Sequence, residues 1–456
     1  MTISTNQVFF AVLALLLFGN LIIKAAGKKR AQLIWNIIFL AAMAISAGIE
    51  MQLPSHDYFN VVSFNPFSLF FLIIFTLGML LINLLAFAFS EDYGDFAMLS
   101  VFALVGMYLV SLSNSLITIF IGLELASIPA VFMLMLSKRS IESATKFFIM
   151  VSIAIAMLSF AIVLFYGGTG GVSLSETAHS QLLLFALMLF IASLSIDASV
   201  FPFNLLIPDI YEGSPGYLVS MLGGLNKKVA FAALIQVLIL SFLSYKSAFM
   251  VVAILSVLTM FYGNIVAIMQ KNLKRMLAYS SISQAGYIMI GIATATQTGI
   301  SASLFLIFAH MFAFIGLFGV VAWLENKRRT RIEDLAGLSS ENGLAAFAIA
   351  LFTLSFVGMP FTTGFIGKFF VFLSAVNSGM LWLAFLGVLN SVISIFYYSK
   401  VILAAYSEKN AARRLHMQPA VFAAVIITLA ITIVFGVYPQ PLLSFANSAG
   451  AYLFRV

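Results

Sequence analysis

The sequence predicts an all-α polytopic membrane protein with about 14 transmembrane helices. Of its 456 residues, 62% are hydrophobic and only 9% are charged, whereas charged residues make up about 25% of a typical soluble domain. The apolar residues also fall into runs of about 20, the length that an α-helix needs to cross the hydrocarbon core of a bilayer. Composition and run length together indicate a multi-pass protein.

The first seven predicted spans lie in the N-terminal half of the chain. They are Val8 to Ile23, Leu33 to Gly48, Phe67 to Phe89, Phe96 to Leu112, Leu116 to Leu136, Phe147 to Tyr166 and Leu182 to Val200. The first run lacks the basic n-region and the small-residue cleavage site of a signal peptide. We therefore interpret it as a retained helix.

Seven further spans follow, of which the twelfth is unusual. They are Tyr217 to Leu240, Phe249 to Met269, Met276 to Thr294, Leu304 to Leu324, Leu344 to Val376, Leu381 to Ala404 and Val421 to Val437. The twelfth is too long for one straight span and contains Gly358, Pro360, Gly364 and Gly367. Because these residues interrupt helices, we expect this span to be broken or tilted.

The basic residues of the loops support this order of spans. The clusters are Lys24 with Lys28, Lys29 and Arg30; Lys138 with Arg139; Lys271 with Lys274 and Arg275; Lys327, Arg328, Arg329 and Arg331; and Lys409, Arg413 and Arg414. All five follow odd-numbered spans, so they share one side, and Lys and Arg are enriched on the cytoplasmic side. We expect both termini on the outer face. The net charge of +7 is then explained by basic residues in cytoplasmic loops and does not indicate binding to a nucleic acid.

Two interrupted spans share a short sequence echo that predicts an internal repeat. Residues 199–203 (SVFPF) lie at the end of span seven and residues 357–361 (VGMPF) lie in span twelve. Repeats separated by an odd number of crossings are inverted in the membrane. We predict three N-terminal helices in residues 1–95, one repeat of helices 4 to 8 in 96–243, an inverted repeat of helices 9 to 13 in 244–405, and helix 14 in 406–456.

The stretch from Ser193 to Lys228 places ionisable groups and a helix breaker inside apolar surroundings. A charge near the bilayer centre costs on the order of 3 kcal/mol, which makes Asp197, Lys227 and Lys228 functional candidates. Pro202 interrupts span seven, and broken helices persist at membrane depth only beside protein or a watery cavity. Since adjacent helical residues point about 100° apart, we expect Lys227 to be buried in the path and Lys228 to serve a different neighbour.

Four further ionisable residues are candidates, and each has a structural alternative. Glu124 lies in the middle of span five and is either part of an ion path or a neutral carboxyl in a packed core. Lys146 begins span six four residues after Glu142, so a surface ion pair is a serious alternative. Lys368 in span twelve is as strong a candidate for the ion path as Glu124, with the same structural alternative of a buried group in a packed core. His310 in span eleven is more often a satisfied core histidine than a relay group, since its neutral form is cheap to bury.

Buried lysines beside carboxylates have a chemistry suited to proton transfer. The pKa of a lysine is about 10.4 in water and has to fall to near 7 before the amine releases a proton at neutral pH. Burial lowers it and a nearby carboxylate raises it again. A row of lysines with at least one acid is therefore a chain of switchable proton positions.

The chain has no Cys, which restricts the chemistry that it can carry. Disulfides, thiolate metal sites and cysteine-held iron–sulfur clusters are excluded for this chain. We expect no cofactor and no metal in it, so any redox chemistry belongs to another subunit.

Several motifs resemble the antiporter-like subunits of respiratory complex I, of multi-subunit cation/proton antiporters and of membrane-bound hydrogenases. The marks are IGLELASIP with Glu124, SIESATKFFI with Lys146, the run PFNLLIPDIYEGSP from Pro202 to Pro215, Lys227, NLKRMLAYSSISQAGY and GMPFTTGFIGKF with Lys368. The PDIYEGSP form is similar to the subunit N branch of this family, whereas the other branches usually have a PDAH-type sequence there. The resemblance covers nearly the whole chain.

The resemblance implies a proton-translocating subunit, and one position departs from it. Glu124, Lys146, Lys227 and Lys368 match the family positions on helices five, six, eight and twelve. The family normally has a Lys seven residues before the His of a PFH sequence; here these positions are Asp197 and Asn204. In the family this Lys faces the Glu of helix five, so the same arrangement here would place two acids, Asp197 and Glu124, together. We therefore expect Asp197 to be protonated or paired with Lys228, where the family generally has an apolar residue.

The resemblance also implies partners, cofactors and a location. The expected partners are M-, K-, J-, A- and H-type membrane-arm subunits, the bilayer and a hydrophilic redox arm, with no nucleic acid. FMN or another electron-input cofactor, Fe–S clusters and quinone are expected in partner subunits, and the chain in a prokaryotic plasma membrane. The alternatives are a subunit of a multi-subunit Na⁺/H⁺ antiporter and a structural membrane-arm subunit without its own proton path.

Overall fold

A computed structural model describes residues 27–50, 56–58, 61–177, 180–408 and 414–455 as a bundle of helices. The first nine helices are α1 (Lys29–Glu50), α2 (Pro66–Phe89), α3 (Tyr93–Ser111), α4 (Leu116–Met135), α5 (Ile141–Thr169), α6 (Gln181–Asp197), α7 (Ile207–Gly213), α8 (Gly216–Ser241) and α9 (Lys246–Ile268). The others are α10 (Leu273–Ala293), α11 (Gln297–Glu325), α12 (Leu338–Glu341), α13 (Gly343–Val357), α14 (Thr363–Asn377), α15 (Leu381–Tyr406), α16 (Pro419–Val437) and α17 (Gln440–Leu453).

The regular structure outside these helices is small. Strands β1 (His56–Tyr58) and β2 (Val62–Phe64) pair in antiparallel fashion before α2. Single turns of 3₁₀-helix lie at Lys138–Ser140 and Glu333–Leu335. Polar caps begin several helices. Asn65, for example, accepts a hydrogen bond from the backbone N–H of Ser68 at the start of α2 and so satisfies one of its free donors.

Helices lie at predicted spans two to fourteen, which confirms an all-α polytopic membrane protein. In the described ranges, ten helices are long and apolar enough to cross a membrane, namely α2, α3, α4, α5, α8, α9, α10, α11, α15 and α16, and α6, α13 and α14 are shorter apolar helices. Span one, Val8 to Ile23, lies outside the described residues. The total of 14 therefore stays a prediction.

Spans seven and twelve are both broken near the sequence echo. α6 ends at Asp197 and α7 begins at Ile207, while α13 ends at Val357 and α14 begins at Thr363. Gly358 ends α13 with a φ of +96°, a left-handed conformation that glycine adopts without a Cβ penalty. Both breaks leave backbone groups for side chains to satisfy, as expected for broken helices at membrane depth.

Two helices form the centre of the bundle. The most apolar 18-residue segments of α10 and α11 are 100% buried. The corresponding segments of α5, α15 and α16 are only 39% buried and face outward. A helix buried on all sides must pack against protein all round, so polar residues on α10 and α11 are surrounded by other helices and not by lipid.

The C-terminal segment differs from its prediction, which was a single helix 14. α16 is followed by α17, which lays Leu442, Ala446, Ala449 and Leu453 against the bundle. It packs on α2 and α11, with the rings of Phe70 and Phe445 5.2 Å apart. α17 has only 14 residues and includes Gln, Ser and Asn, so a search for runs of about 20 apolar residues passes over it.

Candidate functional site

Lys227 lies inside the bundle at a change in helix geometry. Residues Leu222–Asn226 form a π-helical turn in α8, and the backbone N–H of Lys227 donates to the carbonyl of Leu222, five residues earlier. Wide turns of this kind are frequent at functional sites. The side chain of Lys227 is 2% exposed; its Nζ donates to Ser281 Oγ at 3.0 Å and lies 5.6 Å from the ring centroid of Tyr211.

A small cavity joins Lys227 to Asp197. Its polar lining includes Asp197, Asn226, Lys227 and Tyr211, and its volume is about 20 Å³, enough for one water molecule. Asn226 Nδ2 donates to the carbonyl of Ala126 at 3.2 Å, while its Oδ1 is buried without a protein partner. A polar cavity with a free acceptor is the kind of site that holds an ordered water.

Asp197 and Glu124 lie near enough for the charge of one to act on the other, as the comparison of positions predicted. Asp197 is the last residue of α6 and is half-buried, and its carboxyl group interacts electrostatically with that of Glu124. Glu124 is half-buried on α4, where its neighbours Ile121 and Ile128 are 49% and 42% exposed. Glu124 thus lies near the outer surface of the helix bundle, on the side of α4 that carries exposed apolar residues.

The predicted direct pairing of Asp197 with Lys228 is not formed in the described part of the chain, where the ion pairs of lysines involve other acids. Lys228 is 2% exposed, as deeply buried as Lys227, so the expectation that Lys227 would be the buried member of the two was too narrow. The most apolar 18-residue segment of α8 is 94% buried against other helices, which enclose both side chains. The charge of Lys228 instead acts on Lys227 and on His310.

His310 lies between the two groups of lysines. It is 2% exposed on α11, and its ring is stacked between Phe314, at 5.3 Å, and Phe356, at 5.1 Å. Its Nδ1 is buried without a protein partner, so it is not the fully satisfied core histidine of the structural alternative. Lys227, Lys228 and Lys368 lie near enough for their charges to act on His310 as like charges.

Lys368 caps the broken span twelve. Its side chain is 3% exposed, and its Nζ donates to the carbonyls of Phe356 at 2.7 Å and Val357 at 3.2 Å and to Ser391 Oγ at 3.1 Å. These carbonyls form the end of α13, where the helix dipole is negative and favours a cation. The ammonium also lies 3.8 Å from the ring centroid of Tyr287.

Lys146 belongs to a separate group of charges. Its Nζ lies 2.7 Å from Glu142, the pair that its spacing predicted, and also 3.3 Å from Asp209 on α7. Arg275 at the start of α10 bridges Asp209 at 2.6 Å and Glu212 at 3.0 Å. Side chains in this group are between 30% and 80% exposed, so they form a partly hydrated cluster and not a deep one.

Several site residues were not singled out by the sequence analysis. Ser281, Gln284 and Tyr287 all lie on α10, within the block whose resemblance was noted as a whole. Gln284 Nε2 donates to the carbonyl of Phe356 at 2.9 Å, the same oxygen that Lys368 contacts. The sequence feature that could have identified them is the run of polar residues in an otherwise apolar helix. On a buried helix such residues have to face other protein groups.

Together these groups form a row across the protein. Glu124 and Asp197 lie at one end, followed by the cavity with Lys227, then Lys228 and His310, and finally Lys368 at the break in span twelve. Lys146 is not in this row but reaches α7 through Asp209. The row offers two acids at one end and four basic groups after them, with polar side chains such as Ser281 and Asn226 beside Lys227, and such groups can accept and release protons.

Comparison with known proteins gives the family of the chain. Residues 113–394 match the family model of NADH:quinone oxidoreductase/Mrp antiporter transmembrane subunits. NADH-quinone oxidoreductase subunit N 1 of Chloroherpeton thalassium is 32% identical over 95% of this chain and 96% of its own length. Subunit N of Desulforamulus reducens is 36% identical over 76% of each chain.

A solved structure agrees with these matches. A chain of respiratory complex I from Thermus thermophilus, determined with bound aureothin, superposes with a TM-score of 0.82 at 27% identity, covering 96% of this chain and 99% of that one. Fold, extent and sequence agree, and the chain therefore belongs to the NADH:quinone oxidoreductase/Mrp antiporter family of membrane proteins.

Proposed function

We propose that this chain is a subunit N-type membrane-arm component of a redox-driven proton pump, a quinone oxidoreductase related to complex I, and that it moves protons along the row from Glu124 to Lys368. The observation that carries the proposal is the burial of Lys227 and Lys368. Each is at most 3% exposed, and each ammonium is held by polar groups that a neutral amine could also use. Such costly groups mark ion paths in membranes.

The roles follow from the contacts of each group. Glu124 and Asp197 accept or release a proton at one end of the row, and the cavity passes it to Lys227. Lys228 and His310 connect Lys227 with Lys368, whose charge the end of α13 stabilises. Each group's tendency to hold a proton depends on the charge of its neighbour, so loading one position favours release from the next.

The chain takes part in the oxidoreductase without carrying electrons. It has no Cys to hold an iron–sulfur cluster, so we place the electron-input cofactor, whether FMN or another, the Fe–S clusters and the quinone site in partner subunits. Those partners are M-, K-, J-, A- and H-type membrane subunits and a hydrophilic arm. The membrane is a prokaryotic plasma membrane, with both termini outside.

A second candidate function is that of a structural membrane-arm subunit. Asp197 stands where the family normally has a Lys, and its carboxyl group interacts with another acid, Glu124, instead of forming a Glu–Lys pair with it. A path that begins with two acids requires a different order of charge movements from one that begins with a Glu–Lys pair. This departure is the specific observation in favour of the structural role.

Substitution of a buried lysine separates the two functions. Lys227→Met keeps the length of the side chain and removes the ammonium. If the chain pumps, proton uptake per electron by membrane vesicles should fall with this variant while the amount of assembled complex is unchanged. Lys246→Met is the matched control, since Lys246 is an exposed lysine at the start of α9. Equal pumping by both variants would favour the structural role.

Isolation of the complex tests the type of assembly. A tagged chain purified in mild detergent should carry iron–sulfur proteins and an electron-input subunit with it. Recovery of small cation-antiporter subunits alone would reject the redox pump in favour of the Na⁺/H⁺ antiporter alternative.

A further inference from the structure

One acidic residue outside the row, Asp209, joins three helices. Its Oδ2 lies 3.3 Å from Lys146 Nζ on α5, and its Oδ1 lies 2.6 Å from Arg275 Nη1 on α10. It is the only acid in the described ranges that makes ion pairs with both of these cations. Asp209 itself lies on α7, the short helix of seven residues after the break in span seven.

Each cation also contacts a second acid, while the two cations contact different oxygens of Asp209 at the same time. Lys146 also contacts Glu142 at 2.7 Å, and Arg275 also contacts Glu212 at 3.0 Å. A change of charge at Lys146 therefore leaves Asp209 with Arg275 alone. Because guanidinium groups stay charged in proteins, Lys146 is the member of the pair whose charge can change.

These ion pairs hold a helix that forms part of the wall of the cavity. α7 is attached to α10 through Asp209 and Glu212, and to α5 through Asp209. Between these two acids lies Tyr211, which is fully buried, lines the cavity that Asp197 and Lys227 share, and approaches Lys227 Nζ with its ring. Movement of α7 would change the room for water beside Lys227.

We propose that Asp209 is a positioning residue that couples the charge of Lys146 to the position of α7, and through Tyr211 to the environment of Lys227. This inference rests on the proposed function for its use in pumping, but the coupling itself is a property of the fold. It gives Lys146, which lies outside the row, a way to act on it. In the part of the chain that the structure describes, the ion pairs of Asp209 are with Lys146 and Arg275 and not with a group of the row, so it does not itself carry the proton.

The absence of native cysteines makes the cavity directly measurable. Ser127 lines the cavity and is 7% exposed, so Ser127→Cys puts the only thiol of the chain at its wall. The rate at which a small methanethiosulfonate reagent modifies this thiol, followed by mass spectrometry of this chain in the assembled complex, reports access to the cavity. The measurement needs no proton pumping.

In the Ser127→Cys background, Asp209→Asn should raise the modification rate by about fivefold, the factor that loss of a partly exposed ion pair provides. Asp209→Glu, which retains the charge, should restore a rate close to that of the parent. Glu333→Gln is the control, because it removes an ion pair with Arg331 whose side chains are 64% and 73% exposed. It should leave the rate unchanged.

A double variant distinguishes coupling from a general loosening of the fold. Lys146→Gln alone should raise the modification rate, and adding it to Asp209→Asn should have little further effect, since both remove the same interaction. Rates that multiply, or an unchanged rate in Asp209→Asn, would overturn the proposal. If the rates behave as expected but the parent complex moves no protons, the coupling stands and the proposed function fails.

Discussion

Among the deeply buried lysines, Lys368 has the most complete set of hydrogen bonds. Three acceptors surround its Nζ, two of them carbonyls at the end of α13. The negative end of a helix stabilises a cation there, whereas removal of a proton leaves the same oxygens with a weaker donor. The site can therefore hold Lys368 in either charge state without moving its backbone.

Loss of this amine should abolish most proton transfer through the second half of the row. We expect Lys368→Met to reduce the pumping rate by about a hundredfold, at the lower end of what a positioned proton-transfer group contributes. The measurement is acidification by vesicles that contain the complex, with quinone reduction followed in parallel. Lys400→Met, an exposed lysine near the end of α15, serves as the control. Equal rates for the two variants would remove Lys368 from the path.

His310 allows a test that separates packing from proton transfer. Its ring is stacked between Phe314 and Phe356, so His310→Phe keeps an aromatic ring and removes the two nitrogens. We expect normal assembly and a fall in pumping of about a hundredfold if the imidazole transfers protons. Pumping at the parental rate would show that His310 is a packing residue, as the sequence-based alternative has it.

At the scale of single elements, the break between α13 and α14 controls where Lys368 points. Gly358 ends α13 with a φ of +96°, and a Cβ at this position would lie 3.2 Å from Lys368 Cδ. The two carbonyls that Lys368 contacts belong to the two residues directly before this glycine. A change in the turn therefore displaces both the ammonium and its acceptors.

The substitution Gly358→Ala should cost about 1–2 kcal/mol through its left-handed conformation and should also lower pumping. Gly379→Ala is a matched control, because Gly379 has a φ of +77° and open space at its Cβ position. Both variants should lower the temperature at which the complex loses its assembled state by similar amounts. Only Gly358→Ala should reduce proton uptake per electron; a reduction in both would mean that stability alone is responsible.

The broken helices could be predicted because glycine and proline mark them in the sequence. Pro202, Gly358 and Pro360 identify the two interruptions, and α7 and α14 follow them. The wide turn of α8 could not be predicted, since Leu222–Asn226 reads as ordinary helix apart from two glycines. At this turn the helix packs closely on α11, where a Cβ on Gly224 would lie 2.9 Å from Ile315 Cγ1.

The sequence predicts which residues belong to the site better than it predicts which residues they contact. Intramembrane charge identifies Glu124, Lys227 and Lys368 because burying a charge is costly wherever it occurs. Partners are a matter of tertiary packing, which places Arg275 beside Asp209 although its position among the loop clusters indicated only topology. Likewise Lys274, counted among the loop charges, is 3% exposed and pairs with Glu325 at 2.9 Å.

At the scale of the whole molecule, the two halves meet around α10 and α11, whose apolar segments are entirely buried. The row of ionisable groups passes from α4 and α6 through α8 and α11 to α14, so it crosses from the first predicted repeat into the second. A proton path of this kind needs both halves in a fixed relation. The buried centre supplies that relation, whereas the outward helices are free to contact lipid or neighbouring subunits.

The predicted orientation of the chain can be tested with single cysteines. We expect Lys327→Cys, in a basic cluster, to react with a membrane-impermeant maleimide only after the cells are permeabilised, because basic loops stay in the cytoplasm. Ser244→Cys, in the turn between α8 and α9 where Ser244 is exposed, should react in intact cells. The opposite pattern would invert the topology and exchange the entry and exit sides of the path.

The wide turn before Lys227 has a consequence for how the length of this helix can vary. A π-helical turn accommodates one extra residue within an α-helix, and the regular segments before and after it keep the same sides toward their neighbours. Deletion of one glycine from Leu222–Asn226 would therefore leave a continuous regular helix, with Lys227 still directed toward Ser281. This is one place in the membrane domain where an insertion or deletion during evolution need not turn the downstream half of a helix toward lipid.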